Sequence, residues 1–430
     1  MKTFFQFAER KTTYRKETLA GITTFLSMAY ILVVNPIILS QAGMDKGALF
    51  TATALSAIVG SLLIGIMANF PIGIAPSMGL NSFFTFSVCI GMGVPWEIAL
   101  TGVFVAGIIF MILSVMKIRE KIINVIPQDL KYAIAGGIGF FVAFIGFKNA
   151  GLVVANPETF VSIGNLSSPT TLLAVFGFII TLMMLVKGIK GGIFYGMVAT
   201  TVLGMIIGKI NVPHSMIGKV PSLEPTFGVV FTHLGDIFTL EILAVIFTFL
   251  FVAFFDTAGA LIAVASQAGI MKDNKIPNAG RALLADSASG VAGAIFGTST
   301  TASFVESSAG VAVGGRTGFT SVIIALCFSI ALFFSPILSV ITPEVTAPAL
   351  IIVGALMATE VRHINWNRLE IVIPSFVTII MMPLTFSVAT GIALGFILYP
   401  FAMISLKKWK DVHPIMYILC GLFIVYFAFS

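Results

Sequence analysis

Pro71-Ile72-Gly73-Ile74-Ala75-Pro76-Ser77-Met78-Gly79-Leu80-Asn81 interrupts one long apolar run, and Gly297-Thr298-Ser299-Thr300-Thr301-Ala302-Ser303-Phe304-Val305-Glu306 interrupts another far downstream. Proline and glycine stop regular helix in the first stretch. The β-branched threonines of the second favour extended chain. An apolar half-span follows each break, so Asn81 and Glu306 fall near the starts of two half-helices, where free N–H groups and a positive dipole end are presented. Non-helical backbone at bilayer depth is tolerated only when buried in protein or lining a cavity. The two breaks are therefore expected to meet at one place.

Working outward, the rest of the chain is the wall around that place. Of its 430 residues, 58% are hydrophobic and 10% charged, against about 25% charged in a soluble domain. This predicts an all-α polytopic membrane protein and excludes a soluble domain of any size. Apolar runs give fourteen transmembrane segments. The first seven lie at 18–40, 48–70, 78–92, 97–116, 129–147, 170–187 and 190–208; the second seven at 240–270, 280–296, 304–314, 317–340, 346–358, 368–384 and 386–406. The third, tenth and twelfth are shorter than the roughly 20 residues a crossing needs. An odd number of segments per half makes a 7+7 inverted repeat, with short extended segments in the broken third and tenth spans.

With the N-terminus cytoplasmic, twenty of the 24 Lys and Arg residues fall on inner segments, leaving Lys46, Lys148, Lys209 and Lys219 outside. That asymmetry follows the positive-inside rule, so the net charge of +6 reports orientation and implies no nucleic-acid partner. Residues 1–17 read as a polar, basic cytoplasmic arm, not a cleavable signal, and 209–239 as an extracellular loop. Within 407–430 a basic linker precedes an apolar stretch, 413–429, which fits a further span, an interfacial helix or a packed helix. Cys89, Cys327 and Cys420 are scattered and read as core packing. His214, His233, His363 and His413 sit in loops or at span ends without metal-ligand spacing, so neither a metal nor a cofactor is expected.

From Ile242 to Met271 the only formal charge is Asp256; from Ala282 to Gly315 the only ones are Asp286 and Glu306. A carboxylate near the bilayer centre costs at least about 2.5–3.5 kcal/mol, and such residues normally line a pathway. Two carboxylates accept hydrogen bonds and the Asn81 carboxamide both donates and accepts, which suits a flat neutral ligand with ring N–H groups. A nucleobase fits; a free anion is repelled. Phe254, Phe255, Phe304, Phe83 and Phe84 flank these residues and offer stacking faces. Plainer roles stand beside these. Asn81 can cap its half-helix, Glu306 can be a dipole-stabilised cap, and Asp286 can tie its span to a neighbour through Ser/Thr groups. Asp256, mid-span, has no such alternative. Protonation of Asp256 or Asp286 would neutralise the site and permit reorientation, leaving Glu306 to hold the substrate.

The stretch Thr23-Thr24-Phe25-Leu26-Ser27-Met28-Ala29-Tyr30-Ile31-Leu32-Val33-Val34-Asn35-Pro36 resembles the first-span signature of azaguanine-type purine permeases, a branch of the nucleobase–cation symporter-2 (nucleobase–ascorbate) family. The resemblance extends over Ala75–Asn81, Phe254-Phe255-Asp256-Thr257, Ala285-Asp286, and Gly297-Thr298-Ser299 leading to Val305-Glu306-Ser307. It implies a core domain of 18–116 and 240–340 and a gate domain of 117–208 and 341–406. It places Asp256 and Glu306 on the base, with Asn81, Phe304 and Val305 beside it, and Asp286 in support of coupling. Ala260 stands where the uracil-transporting branch has His, and Ser307-Ser308-Ala309-Gly310 departs from the wider motif; both favour the purine branch. The implied activity is proton-coupled uptake of purine bases (guanine, hypoxanthine or adenine) across the cell membrane by alternating access, in a homodimer and without catalysis. Sodium coupling and the choice of base stay open. Three rivals remain: an anion transporter of the same fold, against which Glu306 counts; an intramembrane aspartyl protease using Asp256 and Asp286, neither in a Gly-x-Gly-Asp context; and a passive channel.

Overall fold

The computed structural model describes residues 3–116, 127–212, 215, 217–270, 278–340 and 342–429. Lys117, Arg119, Lys121, His214, Lys272 and Lys275 lie outside the described residues, and so do several side chains of the helix Leu240–Gln267, those of Phe254, Phe255 and Asp256 among them.

A helix occupies each of the fourteen expected segments. The first span is Tyr14–Met28 and Ile31–Ser40, interrupted at Ala29-Tyr30. The second is Lys46–Met67, the fourth Trp96–Val115, the fifth Gln128–Asn149, the sixth Pro169–Val186 and the seventh Gly192–Ile206. The eighth is Leu240–Gln267, the ninth Ala279–Phe296, the eleventh Gly318–Ala331 and the twelfth Pro343–Ala358. Leu369–Leu384 and Val388–Ser405 complete the set. Among the described helices seven are long and apolar enough to cross a membrane alone. The eleventh ends earlier than its apolar run, because Leu332–Val340 tightens into a 3-10 turn around Pro336, where a proline removes the helical hydrogen bond.

The third and tenth spans are broken as expected. Strand β1, Ile74–Pro76, leads into the helix Met78–Ser82, which continues as a wider π-type helix over Phe83–Gly91. The tenth span holds a second short strand, Thr301–Ser303, and then the helix Ser307–Val313. Between the fifth and sixth spans the structure adds a hairpin, Val153–Asn156 with Phe160–Ile163, which an all-helical reading omits. Its turn is built by Asn156 Oδ1, which accepts from the Glu158 and Thr159 N–H groups at 2.8 and 3.1 Å. In chain order the strands are β1, the hairpin pair β2 and β3, and β4 in the tenth span.

Packing sorts the helices into two groups. The second span lies against the ninth and eleventh, and the ninth against the fourth; the fifth lies against the twelfth and thirteenth, and the thirteenth against the fourteenth. In lipid, helices associate by close packing more than by apolar burial, and small residues let backbones approach. At the fifth–twelfth contact a Cβ on Gly139 would lie 2.6 Å from both Ala358 N and Gly354 O, and one on Gly354 would lie 2.5 Å from Ala143 N. Backbone meets backbone there.

The N-terminal segment, read as a polar, basic arm, is docked against the helices. Phe5 and Phe7 are buried against Phe319. Arg10 donates to the carbonyls of Asn69 and Arg316. Glu17, fully buried, accepts from the backbone N–H groups of Arg316 (3.0 Å) and Thr317 (3.2 Å) and from the hydroxyls of Thr12 (2.7 Å) and Thr320 (2.5 Å). These carboxylate bonds tie the start of the first span to the turn between the tenth and eleventh. At the other end of the chain, Pro414–Phe429 is a helix packed on the fourteenth span.

Gly139→Leu is expected to force the fifth and twelfth spans apart. Overpacking of this kind costs about 1–3 kcal/mol or more. A thermal melt of purified protein, followed by size-exclusion recovery, should show earlier unfolding than the wild type, whereas Phe140→Leu on the exposed side of the same helix should melt as the wild type does.

Candidate functional site

The site is built on the crossing of the two broken spans. β1 and β4 pair antiparallel, with Ile74 opposite Ser303, Ala75 opposite Ala302 and Pro76 opposite Thr301. The ladder is prolonged by Ser77 N–H to Thr300 O (3.0 Å) and Phe304 N–H to Gly73 O (2.9 Å). Neighbouring hydroxyls close what the strands leave open. Ser307 Oγ accepts from Gly73 N–H, Ser321 Oγ from Ile72 N–H and Ser61 Oγ from Ile74 N–H, at 2.9–3.1 Å. An unsatisfied backbone group in hydrocarbon costs several kcal/mol, so the serines are what allow extended chain at this depth. Gly297 starts the second break at φ +97°, and a Cβ there would sit 2.2 Å from Thr226. Only glycine ends the ninth span in that geometry.

Because the strands are antiparallel, the half-helices leave the crossing in opposite directions, Asn81 on one and Glu306 heading the other. Glu306 is half-buried, next to Val305 at 53% exposed, while Phe304 behind them is buried in the apolar core. The Glu306 side chain makes no cap bond to its own helix. Instead the buried Tyr30 hydroxyl donates to its carboxylate at 2.7 Å. Asn81 is no cap either. It lies inside Met78–Ser82, with its own N–H on Ser77 O, and its side-chain Nδ2 donates to Asn35 Oδ1. Asn35 Nδ2 in turn donates to Thr53 Oγ1 (2.7 Å) and Thr298 Oγ1 (2.9 Å). Asn81 is thus not a cap, whereas Glu306 does occupy the N-cap position of its half-helix, with its side chain turned to Tyr30.

Asp286 is buried and accepts from Thr257 Oγ1 (2.7 Å) and Ser303 Oγ (3.1 Å). It joins the ninth span to the eighth, one residue beyond Asp256, and to β4. Hydrogen bonds to a charged group contribute about 1.5–3 kcal/mol each, so a tying role for Asp286 is evident from its partners. Phe83 and Phe84 are fully buried and pack on Phe249, Phe83 at 4.9 Å between ring centres, so they serve the core as placed here. Asp256, Phe254 and Phe255 contribute backbone to the eighth span; their side chains, and so the convergence of Asp256 with Glu306, lie outside the description.

Tyr30, Asn35 and Thr298 stood in the quoted motifs but, like Thr53, were not expected among the site residues. Two signals were available. Asn35 is the one carboxamide in the apolar run Ile31–Leu39, and a tyrosine inside a span needs a partner for its hydroxyl.

Together, an interrupted pair of half-spans crossing between two halves of a helical membrane protein defines a transporter of the inverted-repeat class. Solved structures agree on the fold. The transmembrane domain of the cyanobacterial bicarbonate transporter BicA superposes with a TM-score of 0.64 at 16% identity, over 87% of this chain and 97% of that one. SLC26A9 gives 0.62 at 11%, over 91% and 65%. The chain belongs to the Permease family (Xan_ur_permease), whose model matches residues 15–394, and the resemblance to the azaguanine-type branch holds. It is 56% identical to the guanine/hypoxanthine permease PbuG of Bacillus subtilis, over the whole of both chains. It is 42% identical to the adenine permease AdeP of Escherichia coli, over 99% of this chain and 95% of that one.

Replacing Ser303 by Ala, or Thr257 by Val, should destabilise the fold by about 1–3 kcal/mol, because a buried carboxylate loses a donor. Differential scanning fluorimetry in detergent checks this, and an unchanged melting temperature for both variants would remove Asp286 from its tying role. Tyr30→Phe should lower the melting temperature less than either, because Glu306 is half-buried and water can replace the lost donor.

Proposed function

We propose that this chain imports neutral purine bases, guanine or hypoxanthine foremost, in symport with protons. The observation that carries the reading is the Tyr30–Glu306 pair at 2.7 Å, set at the accessible tip of the crossing in a member of a permease family. A carboxylate whose orientation is fixed by a donor from another span offers a firm acceptor to a ring N–H. The first span supports it further, because it holds the hydrogen-bond partners of both Glu306 and Asn81. Tyr30 engages Glu306 and Asn35 engages Asn81, five residues on.

In this mechanism Asp256 and Glu306 bind the base, Asn81 reads its edge, and Phe304 and Val305 close against it. A proton on Asp256, with Asp286 in support, neutralises the loaded site. The core (18–116 and 240–340) then moves against the gate (117–208 and 341–406), a division supported by the two packing groups above. The protein works as a homodimer in the cell membrane with its N-terminus in the cytoplasm. The fold is shared with a bicarbonate transporter, yet an anion would meet the carboxylate of Glu306 in this site.

Uptake of radiolabelled hypoxanthine, guanine, adenine, xanthine and uracil into cells or vesicles, with and without an uncoupler, tests substrate and energy source together. Asp256→Asn should abolish accumulation against a gradient; a variant that still concentrates substrate would take coupling away from Asp256.

A further inference from the structure

Asn81 has two faces, a donor and an acceptor, and which one a ligand meets is settled outside the site. The Thr53 hydroxyl donates its only hydrogen to the Leu49 carbonyl at 2.6 Å. Toward Asn35 it can then only accept, which makes the nitrogen of the Asn35 carboxamide the group facing Thr53 (2.7 Å), and Thr298 as well (2.9 Å). The Asn35 oxygen is left to face Asn81, so Asn81 must turn its nitrogen toward Asn35. What remains is Asn81 Oδ1, fully buried and without a hydrogen-bond partner among the described residues. Buried acceptors are rarely left in this condition, and one usually signals a role in function. Ser299 Oγ, next to Thr298 in the crossing, is unpartnered in the same sense.

We infer that Asn35 is a positioning residue whose relay, from the Leu49 carbonyl through Thr53 and Asn35, locks Asn81 as an acceptor and so selects purines that present a ring N–H at that edge. This deepens, and rests on, the purine reading above. The favoured class is the 6-oxopurines. Hypoxanthine and guanine carry a hydrogen on N1 beside the C6 carbonyl, whereas adenine has a bare N1 lone pair there, which meets the Asn81 oxygen with repulsion. A carboxamide free to rotate could serve either class; a locked one serves the first.

The test is competition of unlabelled hypoxanthine and adenine against labelled hypoxanthine uptake, read as the ratio of their half-inhibitory concentrations, which does not depend on how much protein reaches the membrane. Wild type should favour hypoxanthine. Asn35→Leu, which frees Asn81 to turn, should shrink that ratio at least about tenfold, the value of one ordinary hydrogen bond. Asn35→Asp keeps an oxygen toward Asn81 and should retain the ratio even if total uptake falls. A wild-type ratio in Asn35→Leu, or an equal loss in both variants, overturns the relay and leaves purine transport standing. Wild type without preference for hypoxanthine over adenine also overturns it. Absence of any purine uptake by wild type sinks the functional reading and this one with it.

Discussion

Chain that leaves the helix in the middle of a bilayer must still find partners for every N–H and C=O, and water is not on hand to supply them. Here each half of the protein solves the problem with the other half. β1 can be extended because β4 lies beside it, and β4 because of β1. Serines from the second, tenth and eleventh spans take the groups that face away from the pair. The helices around the crossing are held in register by that requirement, and two half-helices with polar residues at their openings follow from it. The junction of the two half-helices is thus a by-product of satisfying backbone, onto which specific side chains have been set.

That logic explains which parts of the protein could be read from residues alone. The breaks at Pro71–Asn81 and Gly297–Glu306 are local in sequence, so the extended segments and the sites of Asn81 and Glu306 were legible. Composition gave the helical membrane class directly. Partner choice was less visible, because it depends on which side chains from distant spans arrive at the same point. Tyr30 is 276 residues from Glu306, and Asn35 is 263 from Thr298. The capping role offered for Asn81 failed for the same reason: a local partner was assumed where a distant one exists. The hairpin between the fifth and sixth spans was missed because a short exposed run of β-branched residues is small beside the apolar signal of its neighbours.

Buried carboxylates in this chain follow two designs. Glu17 is enclosed by backbone N–H groups and hydroxyls, a pattern that holds structure together. Asp286 is held by hydroxyls from two other elements. Glu306 differs, being half-buried beside an exposed valine and oriented by a phenol. The contrast sets two acids enclosed by their own fold against one left partly open, and depth in the chain's core does not predict which is which, since Glu17 is fully buried.

The docked N-terminal segment has a consequence for motion. Arg10 and Glu17 grip the turn at Arg316, Asn69 receives Gly318 N–H at 2.7 Å, and Asn69 also donates to the Phe5 carbonyl. The opening residues are therefore fastened to the same body that carries the crossing. Any displacement of that body will drag Phe4, whose ring stands 59% open to solvent, by the same amount. A label attached there becomes a pointer on the outside of the machine, registering the travel of the interior without touching it.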